Sequence, residues 1–265
     1  MKRAPSQKKK RPPAPEPETR DERMRLNRFL ARAGVASRRK SDELILGGRV
    51  RVNGETVAEP GRTVMVGEDR VEVAGQQVVL PEGFEYILLH KQRGCLVTRR
   101  DTHGRPTIFD LVNPLRPGTV AVGRLDQDTT GVLLLTDDGE LAFRLLHPSR
   151  QVEKRYEALV AGKPDAGDLI TLRQGVDLED GPTSPAQVRL RGGDEHEARL
   201  EISIHEGRKR QVRRMCAAVG HPVKRLKRTT FAGLGLGRLK PGQWRQLTPG
   251  EVRALRARAG LGAPP

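Results

Sequence analysis

The sequence predicts an α+β fold with two domains. A small helix-rich N-terminal domain precedes a larger domain built on a largely antiparallel mixed β-sheet with flanking helices. In residues 84–255, many short strand-like segments are interrupted by helical stretches near 139–146, 166–174 and 208–219. There is no regular alternation of strand and helix and no glycine-rich phosphate loop after a strand, which argues against a doubly wound parallel sheet. The length of 265 residues is sufficient for two domains and a tail.

The composition indicates a polyanionic partner. The chain has 49 Lys and Arg against 33 Asp and Glu, a formal charge of +16 and a pI near 10.7, and such an excess is typical of nucleic-acid binding. Aliphatic runs of about four residues are too short for a membrane span of about twenty. The basic start continues into prolines, which is unlike a signal peptide. Two cysteines are too few for a disulfide framework, so we expect a reducing cytoplasm.

The two ends of the chain are predicted to be tails. Residues 1–11 contain six basic residues and no acidic one, and prolines and glutamates follow with almost nothing apolar. This composition predicts a disordered basic tail over residues 1–23. A tail that serves only solubility is the alternative. Residues 256–265 are predicted to be a C-terminal tail.

Residues 24–80 are predicted to form the small domain. Apolar residues at helical spacing from Leu26 predict a first helix that Gly34 ends, and Ser37 is a suitable cap for a second. Val50 and Val52 alternate into an Asn-Gly pair, which is a strong hairpin signal. A basic surface on this domain is expected to follow RNA phosphates, although a merely solvated helix face is the alternative. Its residues are Arg28, Arg32, Arg38, Arg39, Lys40, Arg49 and Arg51.

This segment resembles the small RNA-binding domain named after a primary-binding ribosomal protein of the small subunit, the S-four type. The matching residues are 26–30 (Leu-Asn-Arg-Phe-Leu), 33–39 (Ala-Gly-Val-Ala-Ser-Arg-Arg) and 48–54 (Gly-Arg-Val-Arg-Val-Asn-Gly). The resemblance covers about fifty residues and implies RNA as the partner.

Residues 123–131 place a carboxylate in a loop between two apolar strands. They read Gly-Arg-Leu-Asp-Gln-Asp-Thr-Thr-Gly. The pattern Asp-x-Asp-x-Thr is shared with haloacid-dehalogenase-type phosphatases, in which the first Asp is the nucleophile and Mg²⁺ neutralises the phosphate. That motif normally ends a buried strand, but Gly123 and Arg124 interrupt the strand here. Asp137 and Asp138 also follow too soon to be the distant acidic pair for the metal.

The whole run resembles pseudouridine synthases, and in particular the family that modifies ribosomal RNA and carries an N-terminal domain of the kind described above. The resemblance continues at 153–156 (Glu-Lys-Arg-Tyr), at 206–215 (Glu-Gly-Arg-Lys-Arg-Gln-Val-Arg-Arg-Met) and at 220–228, and it spans residues 24–255. It departs from the family where residues 90–94 (His-Lys-Gln-Arg-Gly) replace a common Lys-Pro-x-Gly turn and where Lys209 replaces a more frequent Asn.

The resemblance implies roles for individual residues. Asp126 is the catalytic carboxylate, as nucleophile or as base, and Asp128 is expected to be a solvated or helix-capping acid. Tyr156 stacks beneath the extruded uracil, although core packing is the alternative. Arg213 lies at the edge of an apolar helical stripe and is expected to pair with Asp126, whereas Arg214 should meet solvent or phosphate. Expected substrate-binding residues are Arg124, Lys154, Arg208, Lys209, Arg210, Val223 and Leu226.

The implied function is isomerisation of a specific uridine to pseudouridine, without a metal or a small-molecule cofactor. Residues 223–245 look most like the members that modify large-subunit ribosomal RNA, with a small-subunit site as the runner-up. A non-catalytic ribosome-assembly factor would need the fold and the charge but not the catalytic residues. We expect a monomer with no membrane partner.

Overall fold

The computed structural model describes residues 23–262, which divide into two compact units. One unit comprises residues 23–30 and 36–79, and the other comprises residues 31–35 and 80–262. The predicted N-terminal tail lies outside the described residues, except for Arg23. No helix within residues 23–262 is long and apolar enough to cross a membrane.

Residues 23–79 contain short strands and two helices. The strands are β1 Arg23–Arg25, β2 Val50–Val52, β3 Glu55–Val57, β4 Thr63–Met65, β5 Val71–Val73 and β6 Gln76–Val78, and the helices are α1 Leu26–Arg32 and α2 Arg38–Leu46. β1 pairs with β4, and the order β3-β2-β5-β6 forms an antiparallel sheet. The Ser37 side chain accepts from the Lys40 backbone N–H, so the predicted cap is confirmed. Asn53 and Gly54 have φ of 52° and 85° between paired strands, as the predicted hairpin requires.

The larger unit contains the long strands and the remaining helices. Its strands are β7 Tyr86–Lys91, β8 Val120–Ala121, β9 Thr129–Thr136, β10 Lys154–Ala161, β11 Asp177–Leu178, β12 Gly181–Pro182, β13 Gln187–Gly193, β14 Glu197–Ile204, β15 Val223–Phe231, β16 Leu234–Gly235 and β17 Trp244–Gln246. Its helices are α3 Ile108–Leu111, α4 Gly139–Leu146, α5 Ala166–Gln174, α6 Gln211–Ala218 and α7 Pro249–Arg258.

A nine-stranded sheet organises this unit. Its main order is β13-β14-β10-β15-β9-β7-β17, with β16 on β15 and β8 on β9. β15 and β9 are parallel, and the other pairs of this sheet are antiparallel. The predicted α+β class with a largely antiparallel mixed sheet is therefore confirmed. The loop at residues 123–128 leads directly into β9, and the first residues of β9 pair with β15 at the centre of the sheet.

Separate apolar clusters pack the helices onto the strands. Leu141 of α4 and Leu255 of α7 are buried in one cluster with Leu88 of β7. Cys216 of α6 is buried in another, with Ala158 of β10. Cys216 therefore lies in the core as predicted, and burial raises the pKa of its thiol to about 12. These clusters fix α6 and β10 around the cavity described below.

Two elements correct the sequence analysis. The helix predicted from Arg208 begins at Gln211, because Arg210 has a left-handed φ of 51°. Helix α7 continues past residue 255, where a tail was predicted. Arg256 is buried there, and its Nη1 lies 2.7 Å from the Asp138 carboxylate, so this part of the predicted tail belongs to the folded unit.

The central strand β15 was not predicted. Its sequence, Val-Lys-Arg-Leu-Lys-Arg-Thr-Thr-Phe, lacks the apolar run that identifies an interior strand. β15 nevertheless pairs with both β10 and β9. Buried residues of this strand include Leu226, Arg228 and Phe231. A cation therefore occupies a position that is usually apolar in the middle of a sheet.

Candidate active site

Asp126 lies in the loop between β8 and β9, and backbone hydrogen bonds hold that loop. The Thr129 N–H donates to the Asp126 carbonyl at 3.1 Å, and the Gly94 N–H donates to the Gln127 carbonyl at 2.8 Å. The Asp126 side chain remains 36% exposed. The loop therefore presents this carboxylate at the surface of the cavity while its backbone is fixed.

Lys91 anchors the same loop from beneath. Its side chain is fully buried, and Nζ donates to the carbonyls of Gln127 at 3.3 Å and Thr129 at 2.9 Å. Burial lowers the pKa of Lys91 to about 8, and the neighbouring carboxylates Asp126 and Asp128 oppose this shift. The sequence indicates only that this turn departs from the family pattern, and no local signal points to a role for the lysine.

Gly131 of the motif is required by a close approach of two strands. It pairs in parallel register with Arg228, and its φ is 119°. A Cβ atom at this position would lie 2.1 Å from the Arg228 carbonyl oxygen, far inside contact distance. The glycine therefore allows β15 to pack beside β9 directly below the catalytic loop.

A cavity of about 450 Å³ opens beside Asp126, a size typical of ligand sites. Its lining residues are Val122, Gly123, Arg124, Leu125, Asp126, Thr129, Leu146, Pro148, Lys154, Tyr156, Ile204, His205, Glu206, Gly207, Arg208, Arg210, Gln211, Val212, Leu226, Arg228 and Phe231. Apolar walls and several cations thus surround two carboxylates, Asp126 and Glu206, and Glu206 Oε2 lies 3.4 Å from Arg208 Nε. This arrangement suits a flat apolar ring that carries polar edges.

Tyr156 and Lys154 reach the cavity from β10. Tyr156 is 9% exposed and also packs within the apolar cluster beneath the cavity. Both interpretations of this residue, a stacking face and a core ring, therefore describe parts of its surroundings. The Lys154 Nζ donates to the carbonyls of Val152 and His205, each at 3.0 Å. Burial lowers the pKa of Lys154 to about 8, and the charge of Arg228 adds to this effect.

The predicted pairing of Arg213 with Asp126 is wrong. Arg213 Nη2 lies 3.0 Å from the Asp128 carboxylate, and the guanidinium also donates to the backbone carbonyls of Asp128 at 3.3 Å and Val223 at 3.1 Å. Arg213 is buried behind the loop and is not among the residues that line the cavity. Its side chain emerges from α6 at the level of Asp128, which is two residues further along the loop than expected.

The carboxylates of the loop share a second arginine. Arg210 Nη1 lies 3.8 Å from Asp126 and 3.5 Å from Asp128. Arg210 precedes α6 and has a left-handed backbone conformation. The direction of its side chain is therefore not set by the periodicity of the helix. Asp128 is therefore ion-paired with two arginines while its side chain stays 35% exposed. The expected solvated acid thus also holds the loop, and it caps no helix among the described elements.

The other predicted site residues are divided between cavity and surface. Leu226, Arg124 and Arg208 line the cavity, whereas Val223 does not. Arg208 donates to the Gly181 carbonyl at 2.8 Å, and Lys209 is exposed. The Val223 carbonyl accepts from Arg213, so this residue supports the loop instead of the pocket wall.

Arg214 differs from the expectation of a contact with solvent or phosphate. Its guanidinium binds both oxygens of Asp180, at 2.9 and 3.0 Å. The helix phase correctly predicts that Arg213 and Arg214 point in different directions. Arg214, however, forms an ion pair with Asp180 of the same chain. Asp180 lies in the turn between β11 and β12, a contact that no local pattern in the sequence indicates.

The basic residues of the small domain are mostly accessible. Arg38, Arg39, Lys40, Arg49 and Arg51 are exposed, and Arg28 is half-buried. Arg32 differs from them, because it belongs to the larger unit, where it donates to the Gly83 carbonyl at 3.0 Å and stacks over the Phe84 ring at 4.2 Å. The accessible cations include three consecutive residues in the first turn of α2.

The two acids that follow β9 have structural partners. Asp138 accepts from the Tyr86 hydroxyl at 2.9 Å, caps the N-terminus of α4 and pairs with Arg256. Asp137 accepts from the Glu85 N–H at 2.6 Å. Within residues 23–262, no group of three or more His, Cys, Asp or Glu side chains could hold a metal ion. Asp137 and Asp138 therefore serve the fold at the end of β9, and neither lines the cavity.

Comparisons with known proteins identify the family. The chain matches the model described as RNA pseudouridylate synthase over residues 85–218 and the S4 domain over residues 24–71. An uncharacterized RNA pseudouridine synthase of Aquifex aeolicus is 47% identical, and the match covers 90% of this chain and 96% of that protein. The ribosomal large subunit pseudouridine synthase B of Bacillus subtilis is 45% identical, with 90% and 98% covered.

A solved structure described as a pseudouridylate synthase supports the same result. It is 31% identical, has a TM-score of 0.63, and the match covers 88% of this chain and 99% of that one. The chain belongs to the family of RNA pseudouridine synthases. It is an enzyme of that family with an S4 RNA-binding domain at its N-terminal side.

Proposed function

We propose that this enzyme isomerises uridine to pseudouridine in large-subunit ribosomal RNA and that Asp126 is its catalytic residue. The observation that carries the proposal is that Asp126 and Tyr156 line one cavity. The name of the Bacillus subtilis relative supports the large subunit as the substrate. The formal charge of +16 supports a polyanion in general. Small-subunit ribosomal RNA is the second candidate.

The reaction breaks the bond between ribose C1′ and uracil N1, turns the base and joins C1′ to C5. The uridine must leave its stack to reach a cavity of this kind. Tyr156 supplies a face for the extruded base. Asp126 acts on the ribose, either by attack on C1′ or by removal of a sugar proton. Arg213 acts through Asp128 and the loop backbone, so it is a positioning residue.

The two domains divide this work. Residues 24–80 form the RNA-binding domain, residues 84–255 with the remainder of α7 form the catalytic domain, and both belong to a cytoplasmic monomer. The basic surface of the small domain supplies affinity and placement, because phosphate contacts orient a protein on RNA without reading its sequence. The cavity then acts on the uridine that is presented.

An assay of tritium release tests the proposed function. Large-subunit and small-subunit ribosomal RNA, each labelled with tritium at C5 of uridine, are incubated separately with the purified full chain. Because C5 loses its hydrogen when it bonds to C1′, release from the large-subunit RNA is expected. Release from the small-subunit RNA alone would overturn the assignment of substrate. Release from neither RNA would overturn the proposed function.

A chelator experiment tests the expectation that no metal takes part. A minimal stem-loop that is folded beforehand should react at an unchanged single-turnover rate in excess chelator, since the proposed chemistry uses Asp126 and requires no Lewis acid. RNA melting curves with and without chelator control for loss of the RNA fold. A chemical step that stops in chelator and is restored by one specific divalent ion would refute this expectation.

The exposed cations of α2 should determine much of the salt dependence of binding. The triple variant Arg38→Gln, Arg39→Gln, Lys40→Gln should flatten the plot of log affinity against log salt by about 2, because each lost phosphate contact contributes about 0.7 to 0.9. Arg70→Gln is the matched control, because Arg70 Nη2 already lies 2.7 Å from the Glu72 carboxylate. An unchanged slope in the triple variant would mean that α2 does not contact phosphates.

A further inference from the structure

Arg228 is a buried cation in the wall of the cavity. It is 2% exposed and lies on the central strand β15. Its Nε donates to the Val132 carbonyl at 2.8 Å, and its guanidinium stacks 4.9 Å from the centre of the Phe231 ring. None of the ion pairs found within residues 23–262 includes Arg228, and its Nη2 is buried without a hydrogen-bond partner. Among the described residues the guanidinium is therefore held by one carbonyl and one aromatic ring, and part of its donor capacity is unused.

The register of the sheet places Arg228 beside the proposed stacking face. In the antiparallel pair of β10 and β15, Arg228 is the direct cross-strand partner of Tyr156. Both residues line the cavity. Side chains of direct partners lie side by side, with Cβ atoms about 5 Å apart. A base that stacks on Tyr156 therefore has one edge toward the Arg228 guanidinium, and the edges of uracil carry its carbonyl oxygens.

The charge balance of this wall favours an anion. The neighbouring Lys154 is also a buried cation, and its two contacts are neutral carbonyls. The carboxylates of the loop are paired with other residues, since Asp128 binds Arg213 and both Asp126 and Asp128 face Arg210. Glu206, the other carboxylate of the cavity, lies 3.4 Å from Arg208 Nε and accepts from the Gln211 amide. Arg228 and Lys154 thus border the base position with no carboxylate within 4 Å of either among the described residues. In a site with little water, they stabilise negative charge that appears during the reaction more strongly than solvent does.

We infer that Arg228 is a catalytic residue that stabilises the uracil anion released when the glycosidic bond breaks. This inference rests on the proposed function. When the bond from C1′ to N1 breaks, its electron pair remains on uracil and is shared among N1, O2 and O4. As the bond breaks, Asp126 either bonds to C1′ or takes a sugar proton, and it leaves C1′ or returns that proton when C5 bonds to C1′. Arg228 donates to a carbonyl oxygen of the uracil anion. C5 then bonds to C1′ and loses its proton, and N1 gains a proton, so no atom is gained or lost overall.

Fluorine at C5 of the target uridine tests this inference. Fluorine withdraws electrons and stabilises the same anion, so it should partly replace a lost guanidinium. The assay follows, at saturating full-length enzyme, the first-order loss of the target nucleoside from a stem-loop that carries either uridine or 5-fluorouridine. Arg228→Gln should slow the loss of uridine by about 100-fold, the typical cost of one such donor. The loss of 5-fluorouridine should slow at least tenfold less.

Two further variants make the result decisive. Arg225→Gln alters an exposed arginine on the same strand and should leave both rates within twofold of wild type. Arg228→Lys keeps the charge but loses the planar fork, and it should give an intermediate rate with the same preference for fluorine. Because the two substrates are compared within each variant, partial loss of stability cancels. Equal slowing on both substrates would overturn the inference, whereas absence of turnover in the wild type would instead overturn the proposed function.

Discussion

Asp126→Asn is expected to abolish turnover while the affinity for RNA stays within a few-fold of wild type. The amide has nearly the shape of the carboxylate but can neither attack C1′ nor accept a sugar proton. The backbone contacts that hold the loop, from Thr129 and Gly94, do not involve the altered group. Single-turnover rates at saturating enzyme and equilibrium binding to the same stem-loop measure the two quantities separately.

A matched substitution controls for general effects of charge. Asp177 is an exposed aspartate of β11 outside the cavity, and Asp177→Asn should leave both rate and affinity unchanged. If Asp126→Asn retains a rate within tenfold of wild type, Asp126 is not the catalytic group. A loss of affinity as large as the loss of rate would show that Asp126 serves binding instead.

Arg213→Lys is expected to lower the single-turnover rate at least tenfold, which corresponds to about 1.4 kcal/mol. One guanidinium binds the Asp128 carboxylate and the carbonyls of Asp128 and Val223 at the same time. A lysine ammonium keeps the charge but cannot hold these three acceptors in their fixed directions. The loop that presents Asp126 should therefore lose its position. Rates at saturating enzyme measure this effect apart from RNA binding.

The neighbouring arginine and the carboxylate partner provide the controls. Arg214→Lys should leave the rate nearly intact, because Arg214 binds Asp180 away from the loop. Asp128→Asn should cost less than Arg213→Lys, since the Asp128 carbonyl and Val223 remain as acceptors. The double variant should cost less than the sum of the two, because the residues are in contact. Equal losses in Arg213→Lys and Arg214→Lys would contradict the positioning role.

Most of the fold was predictable because its signals are local. The helical stretches predicted near 139–146 and 166–174 match α4 and α5, and the Asn-Gly pair predicted the first hairpin. β15 was missed because Lys224, Arg225, Lys227 and Arg228 break its apolar pattern. Its place in the sheet is determined by pairing with strands that lie far away in the sequence, and no short window of sequence contains that information.

The residues of the candidate site that belong to sequence motifs were predictable. The ion pairs between residues far apart in the sequence were not. Asp126 and Tyr156 were selected by motif, and the fold brings both to one cavity. Helix phase separated Arg213 from Arg214, but it could not select Asp128 over Asp126 as the partner of Arg213. That choice depends on which residue of the loop lies against the first turn of α6, and this residue is Asp128. The anchoring of the loop by Lys91 likewise appears only when β7 and β9 are paired.

A map of pseudouridines in ribosomal RNA tests the central claim most directly. Cells that lack this chain are compared with the same cells carrying either the wild-type chain or the Asp126→Asn variant at equal protein levels. We expect at least one pseudouridine of large-subunit ribosomal RNA to disappear without the chain, to return with the wild type, and to stay absent with the variant. An unchanged map in cells that lack the chain, or full restoration by Asp126→Asn, would contradict the account.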